Sequence, residues 1–315
     1  RTMNISTVGM SKEEWLKTRK IGGSYAGAIL GLNNFMTPLD VYNEILGVTE
    51  PKIENPRMKA GKKIEGVISD WYEEETGNKV LRDNKVRFHK DYDFLSASLD
   101  RLIQAKDEQE TGILECKNTN SKSFKYWEES PYGMPAYVYA QIQHYFDVAQ
   151  KNWGCVAVLI DGWDFRMIPV ERDKKWISES REILIRFWNE NILKQIPPEP
   201  KTKDDVLFLF PKETSGINLE VTERVYNIWE TMVAADDLRK DYEARTEGAK
   251  QQLQILMLYA ERLSYGGRTL CTWKADKDGK QFNINDFQQD NPDLWEKYLI
   301  SKKGIRRFLI KRSND

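Results

Sequence analysis

Three β-type segments in succession, then a helix, then an all-apolar run, constrain this chain more than any other feature. Residues 79–88, 94–104 and 112–118 carry strand-like patterning, and 156–160 reads VAVLI, a buried strand. The polar stretch AKDEQET joins the second segment to the third, which is a hairpin signal. Residues 136–149, AYVYAQIQHYFDVA, read as the helix between the third segment and VAVLI. A further strand is expected over 163–170. Hairpin strands pair antiparallel, whereas strands separated by a helix can pair parallel, so the expected core is α/β with a mixed central sheet flanked by helices.

The flanking helices have their own signals. Ser11, with Glu14 three residues on, starts a short helix to about Arg19. Residues 40–46 form another, closed by Gly47. Over 62–76, Ile64, Val67, Ile68, Trp71 and Tyr72 recur at helical spacing, and Gly77 follows. Trp176, Ile177, Ile183, Leu184, Phe187 and Trp188 give 174–194 apolar faces. The core is expected to span 1–200. IPPEPKTKDD (196–205) reads as a linker, and 201–315 as a C-terminal extension. In it, 219–265 is one long helix or a helical hairpin, with a coiled-coil-like seam at Val221, Val225, Ile228 and Met232. A β-hairpin is expected to turn at Asp278-Gly279, and the finish KKGIRRFLIKR is basic.

The pairing of the hairpin decides the chemistry. On a strand, residues i and i+2 face one side, so Glu115 and Lys117 project together and Cys116 points away. If the hairpin pairs, Asp100 can lie across from Glu115. Two carboxylates about 4 Å apart repel by roughly 4 kcal/mol at an effective dielectric near 20, and such a pair calls for a cation. Hard carboxylate oxygens, with a backbone carbonyl such as that of Cys116, suit Mg²⁺ or Mn²⁺ rather than zinc. A lysine beside them can orient or deprotonate a water, or neutralise developing phosphate charge. Taken alone, Glu-x-Lys is also what an exposed ion-pair face carries.

Two more residues enter the count. Glu65 borders the apolar stripe of its helix and either looks toward the sheet or is one of many surface glutamates. Gln141 shares a helical face with Tyr137, His144, Tyr145 and Val148, and an amide there needs a partner. A substrate phosphate is one partner, and a satisfied core amide is the alternative. His144 reads as structural, and the glutamates of 73–75 as solvated.

Composition excludes several classes. The net charge of −1 argues against a histone-like coating mode of nucleic-acid binding. Cys116, Cys155 and Cys271 lie far apart without a C-x-x-C pair, which disfavours zinc and cluster sites and fits a reducing cytoplasm. With only His89 and His144, serine-hydrolase triads and histidine metal sites have little material. No apolar run approaches a membrane span.

The order Trp15…Arg19, GGSYAGAILG, Gly61…Glu65 with Tyr72 and Thr76-Gly77, SLD (98–100), ECK (115–117) and AQIQHY (140–145) resembles the YqaJ-type viral recombinases. These belong to the lambda-exonuclease-like branch of the PD-(D/E)XK nuclease superfamily. The resemblance covers residues 11 to about 190 and implies a restriction-endonuclease-like core. It implies degradation of the 5′ strand of linear duplex DNA with two magnesium ions, leaving 3′ single strands for an annealing recombinase. It also implies a ring-shaped homotrimer and a phage or prophage enzyme in a bacterial host. Carried over, Asp100, Glu115, Glu65 and the Cys116 carbonyl resemble metal ligands. Lys117 resembles the catalytic lysine and Gln141 the helix glutamine of the active site. Arg19, Ser24 and Ser98 resemble a 5′-phosphate pocket. Leu99 stands where the superfamily name has proline, and a branched apolar residue keeps the strand.

Two alternatives remain beside the exonuclease reading: a structure-selective endonuclease on the same core, and a non-catalytic DNA- or partner-binding protein. Lys302, Lys303, Arg306, Arg307, Lys311 and Arg312 either track DNA phosphates or form a solvated surface over Ile305, Phe308 and Ile310.

Overall fold

The first of two units, Arg1–Leu209, is organised on a five-stranded sheet; the second is Phe210–Asp315. The computed structural model describes residues 20–49, 56–105, 110–302 and 304–310. The helix expected over 11–19 lies outside them. The sheet runs β1 (Lys79–Arg82), β4 (Arg101–Gln104), β5 (Gly112–Thr119), β6 (Trp153–Ile160), β7 (Asp164–Glu171) in spatial order. A separate ribbon pairs β2 (Val86–Phe88) with β3 (Ser96–Ser98). In the main sheet β1, β4 and β5 pair antiparallel, β5 and β6 parallel, and β6 and β7 antiparallel, so the sheet is mixed.

The parallel pair is closed by a crossover through α4 (Ser121–Glu128) and α5 (Ala136–Ala149). At its start Gly154 lets the two backbones approach, since a Cβ there would stand 2.4 Å from the Ile113 carbonyl oxygen. Alternation then sorts β5 and β6 onto two faces. Ile113, Val156, Val158 and Ile160 share a core with Val138, Ile142, Tyr145 and Phe146 of α5. Leu114, Cys116, Cys155, Ala157 and Leu159 share another with Ile68 and Tyr72 of α3 (Pro56–Thr76). Helices thus cover both sides of the central strands.

Two short helices precede α3: α1 (Gly23–Ile29) and α2 (Pro38–Leu46). Thr37 and Asp40 form a reciprocal capping box at the start of α2, and Gly47 closes it at φ 68°. The helix expected over 174–194 is α6 (Lys174–Phe187), which widens into a π-helical turn at Trp188–Ile192. The segment read as a linker does not stay extended, because Lys203–Leu209 forms α7. Its buried Asp205 accepts hydrogen bonds from the Thr37 hydroxyl at 3.0 Å and from the Lys201 and Thr202 amides at 2.8 and 3.1 Å, tying α7 to the start of α2.

Both long strand segments of the sequence reading are broken. The 79–88 segment divides into β1 and β2, and 94–104 into β3 and β4. The phase of the alternation changes at the second break: Leu95, Ala97 and Leu99 face the core under α5, whereas in β4 Leu102 packs there and Ile103 faces the other way.

In the second unit, the long apolar-and-charged stretch is a single helix, α8 (Glu223–Met257), not a helical hairpin. The β-hairpin is not at Asp278-Gly279. It is β8 (Arg262–Tyr265) with β9 (Arg268–Thr272), turning at Gly266 and Gly267, whose φ of 55° and 78° suit glycine. Residues 273–283 carry no regular structure. Helices α9 (Ile284–Asp290) and α10 (Pro292–Tyr298) follow. In the basic finish, Lys302, Arg306 and Arg307 are exposed, but so are Ile305 and Phe308, which form no layer beneath them. Lys303, Lys311 and Arg312 lie outside the described residues. Among the described residues no helix is long and apolar enough to cross a membrane.

Candidate active site

The site begins at the break in the long hairpin. Arg82 stands opposite Arg101, and Val86 opposite Ser98. Residues 83–85 on one strand therefore span the gap that Leu99 and Asp100 span on the other, a one-residue bulge. Leu99 turns into the core, and Asp100 is left half-buried at the start of β4. The register Arg101↔Leu114 carries on to bring Asp100 opposite Glu115. There the Asp100 carboxylate replaces a strand carbonyl: its Oδ2 accepts the Cys116 N–H at 2.9 Å. A strand residue's N–H and C=O point to the same edge, so the Cys116 carbonyl turns toward the Asp100 side. Its thiol points to the opposite face, buried under α3, and burial pushes that thiol up.

Glu115 and Lys117 share the α5 face with Ile113. Lys117 Nζ lies 2.7 Å from Glu115 Oε1, and Gln141 Nε2 donates to the same oxygen at 2.8 Å. Lys117 Nζ also donates to Gln141 Oε1 at 3.0 Å, closing a three-membered ring of contacts. Gln141 Nε2 further reaches the Tyr145 hydroxyl at 3.0 Å. The amide that needed a partner thus has protein partners, and its oxygen and nitrogen are both engaged. Tyr145 was not singled out from sequence as a site residue; its place one turn after Gln141 is the signal that could have found it.

Glu115 is almost fully buried, at 1% exposure, and its second oxygen, Oε2, is buried without a hydrogen-bond partner. Burial, reinforced by Asp100 and opposed by Lys117, raises its carboxyl to about 7. For Lys117, burial pulls the ammonium down, but the Glu115 carboxylate beside it outweighs this and holds it above its usual value. The lysine is therefore a firm cation. Glu65, half-buried on α3, belongs to the same field: burial first, then Asp100, raises its carboxyl, while Arg101 and Lys117 lower it. The structure thus brings Asp100, Glu115, Lys117, Gln141 and Glu65 into one neighbourhood. Among the described residues, no three or more His, Cys, Asp or Glu side chains are already drawn together as a metal cage. The unpartnered Glu115 oxygen, Asp100 opposite it and the Cys116 carbonyl nevertheless form an oxygen donor set of the kind hard cations take.

The segments named for phosphate binding adjoin this cluster. Ile21 bridges to Leu95 in parallel, and the Ser96 amide donates to the Ile21 carbonyl at 2.9 Å, which lays the start of α1 beside the start of β3. A Cβ on Gly23 would lie 2.4 Å from the Tyr145 ring and 2.9 Å from Gln141, so glycine is required for α1 to sit against the glutamine. Ser24 follows in the first turn of α1 and is exposed, as is Ser98 at the end of β3. Arg19 lies outside the described residues.

His144, read as structural, contacts the Ser96 carbonyl through Nε2 at 2.9 Å, and burial lowers its pKa. Nearby, Asp147 of α5 accepts from Arg172 at 3.1 Å and Arg181 at 2.9 Å and lies 3.6 Å from His89.

The mixed sheet thus carries an aspartate at the head of one strand, Glu-x-Lys on the next and a glutamine on the crossover helix. Residues 14–152 match the family model of the YqaJ-like viral recombinase domain. Along most of its length the chain is similar to the uncharacterized protein YqaJ of Bacillus subtilis (strain 168), with 28% identity over 96% of this chain and 95% of that one. Among solved structures it is similar to LHK-Exo, an alkaline exonuclease of Laribacter hongkongensis, with 20% identity over 58% of this chain and 94% of that one and a TM-score of 0.47. A phage-related exonuclease of Haemophilus somnus 129PT follows, with 12% identity over 56% and 96% and a TM-score of 0.43.

Proposed function

We propose that the chain is a magnesium-dependent deoxyribonuclease that shortens the 5′ strand of linear duplex DNA. The observation that carries this reading is the buried Glu115: one oxygen is clamped by Lys117 and Gln141, and the other is unpartnered beside Asp100. Burying a carboxylate oxygen without a partner is costly, and a bound cation would offset that cost. Asp100, Glu115, Glu65 and the Cys116 carbonyl are the groups to hold Mg²⁺, with Mn²⁺ as a substitute and room in the reading for two ions. When bound, the cation supplies Lewis-acid polarisation of the scissile phosphate and a more acidic water.

The chain's own residues do the rest. Lys117, held as an ammonium, donates to a phosphate oxygen and offsets the negative charge that grows there during hydrolysis. Gln141 fixes Lys117 and Glu115 relative to each other, and Tyr145 fixes Gln141. Gly23 seats α1 against that pair, which supports Ser24 and Ser98 as contacts for a 5′ phosphate; Arg19, outside the described residues, is assigned to the same pocket by the resemblance alone. A 3′ single strand is the product, which is the substrate an annealing recombinase takes.

The test is digestion of linear duplex DNA labelled at each end in turn, with and without Mg²⁺. The expected result is metal-dependent loss of the 5′ label first, faster from phosphorylated than from hydroxyl ends. Hydrolysis that persists when both ends are blocked makes the protein an endonuclease, and binding without release of nucleotides removes the enzymatic reading.

A further inference from the structure

Helix α8 stands apart from the nuclease chemistry. It is 35 residues long, about 52 Å at the usual rise, and of its residues only Met257 is buried. From Val225 the steps alternate three and four without interruption: Val225, Ile228, Met232, Ala235, Arg239, Tyr242, Thr246, Ala249, Leu253, Leu256. That is a continuous heptad seam, apolar at both ends and polar at its middle, with Val225, Ile228, Tyr242, Leu253 and Leu256 all exposed. Tyr226, Val233 and Ile255 lie off the seam. A helix with an exposed seam of this length gains most of its stability by burying that face. DNA is a poor occupant, because the helix carries seven Asp and Glu against five Lys and Arg.

We infer that α8 pairs antiparallel with α8 of a second copy of this chain, about a two-fold axis near Arg239 and Tyr242. Setting Arg239 against Tyr242 of the second copy fixes every other layer. Val225 then meets Leu256, Ile228 meets Leu253, Met232 meets Ala249 and Ala235 meets Thr246. The apolar ends cover each other, the long Met232 faces a small residue, and the central arginine finds an aromatic face. In the flanking positions Trp229 falls beside Lys250 of the second copy, and Asp236 falls beside Glu243 of the second copy, with Arg239, which bonds both residues on its own helix, between them. Parallel pairing does the opposite. It sets Arg239 against Arg239 on the axis, leaves Ala235 facing Ala235, and brings Arg245 near Lys250. Twenty seam side chains, each losing of order 70 Å², bury about 1,400 Å², within the range of stable specific interfaces. The contact is isologous, so it closes at two copies of α8 and does not polymerise.

The test uses the full chain and does not depend on the nuclease reading. By sedimentation equilibrium, an Ile228→Glu/Leu253→Glu variant is expected to weigh less than the wild type, half as much where the first unit makes no contact of its own. Equal masses overturn the pairing. Orientation is read by oxidation in a Cys271→Ser background. Val225→Cys chains mixed with Leu256→Cys chains are expected to cross-link, whereas Val225→Cys chains alone are not. Cross-linking of Val225→Cys alone, or none in the mixture, overturns the antiparallel arrangement. Far-ultraviolet circular dichroism and a cooperative urea transition of the glutamate variant report that it remains folded.

Discussion

Helix α5 carries two buried ionic clusters, and they differ in one respect that separates structure from chemistry. Around Asp147, each charge is answered: Arg172 and Arg181 donate to the carboxylate and His89 lies against it. Burial works against the charge, yet His89 and the arginines hold this carboxyl below its usual value. One turn and a half earlier on the same helix, Gln141 and Tyr145 face Glu115, which is equally buried but has an unpartnered oxygen and a carboxyl raised to about 7. A saturated cluster of this kind pins α5 to α6. An unsaturated one leaves an oxygen open, and that is the position the proposed cation would take.

The sharpest way to break this contrast is to remove one carboxylate from each cluster. Glu115→Gln is expected to reduce hydrolysis by about 10³-fold or more in Mg²⁺ with the protein still folded. Asp147→Asn should instead leave hydrolysis per folded molecule near wild type and lower stability in urea by about 3–5 kcal/mol, since it strands two arginines. If the two variants exchange these behaviours, the division of roles is wrong.

The pH dependence of stability should separate the clusters in sign as well. With metal chelated, Asp147 binds its proton more weakly folded than unfolded, so its contribution is present at neutral pH and is lost in acid. Glu115 binds its proton more tightly when folded, so stability falls as pH rises from the usual carboxylate range to about 7 and levels off above. Urea titrations across that window should show this fall in the wild type and not in Glu115→Gln. The same proton competes with a cation, so Mg²⁺ affinity, followed calorimetrically, is expected to drop about tenfold per pH unit below about 7.

The smallest effect belongs to Tyr145→Phe. Gln141 loses one hydrogen bond of about 1 kcal/mol, and the rate should fall only about fivefold. An unchanged rate would mean that the Lys117–Glu115 pair holds the glutamine unaided.

Much of this site could be read before any coordinates, for local reasons. Strand periodicity alone puts Glu115 and Lys117 on one face, and the hairpin puts Asp100 opposite, because both follow from the period of two. Helix α5 spans the same residues, 136–149, as its helical pattern. The bulge at residues 83–85 was hidden, because it lies in the register between two strands and not in the residue types of either. Gln141 could be recognised as an amide in need of a partner, but which groups met it depended on the crossover that lays α5 over β5. In the second unit, the paired glycines at 266 and 267 lay at the end of a helical pattern, while Asp278-Gly279 had the better local turn chemistry. Weak tertiary burial there leaves local signals in competition, which is why the two hairpin positions were confused.

The central claim, that the open oxygen of Glu115 and the carboxylate of Asp100 hold a divalent cation, is tested most directly by crystals soaked in Mn²⁺ and measured for anomalous scattering. The account predicts a peak bonded to Glu115 Oε2 and to Asp100 in the wild type, absent in Glu115→Gln. A wild-type map without that peak, or with manganese held elsewhere and these carboxylates untouched, contradicts it.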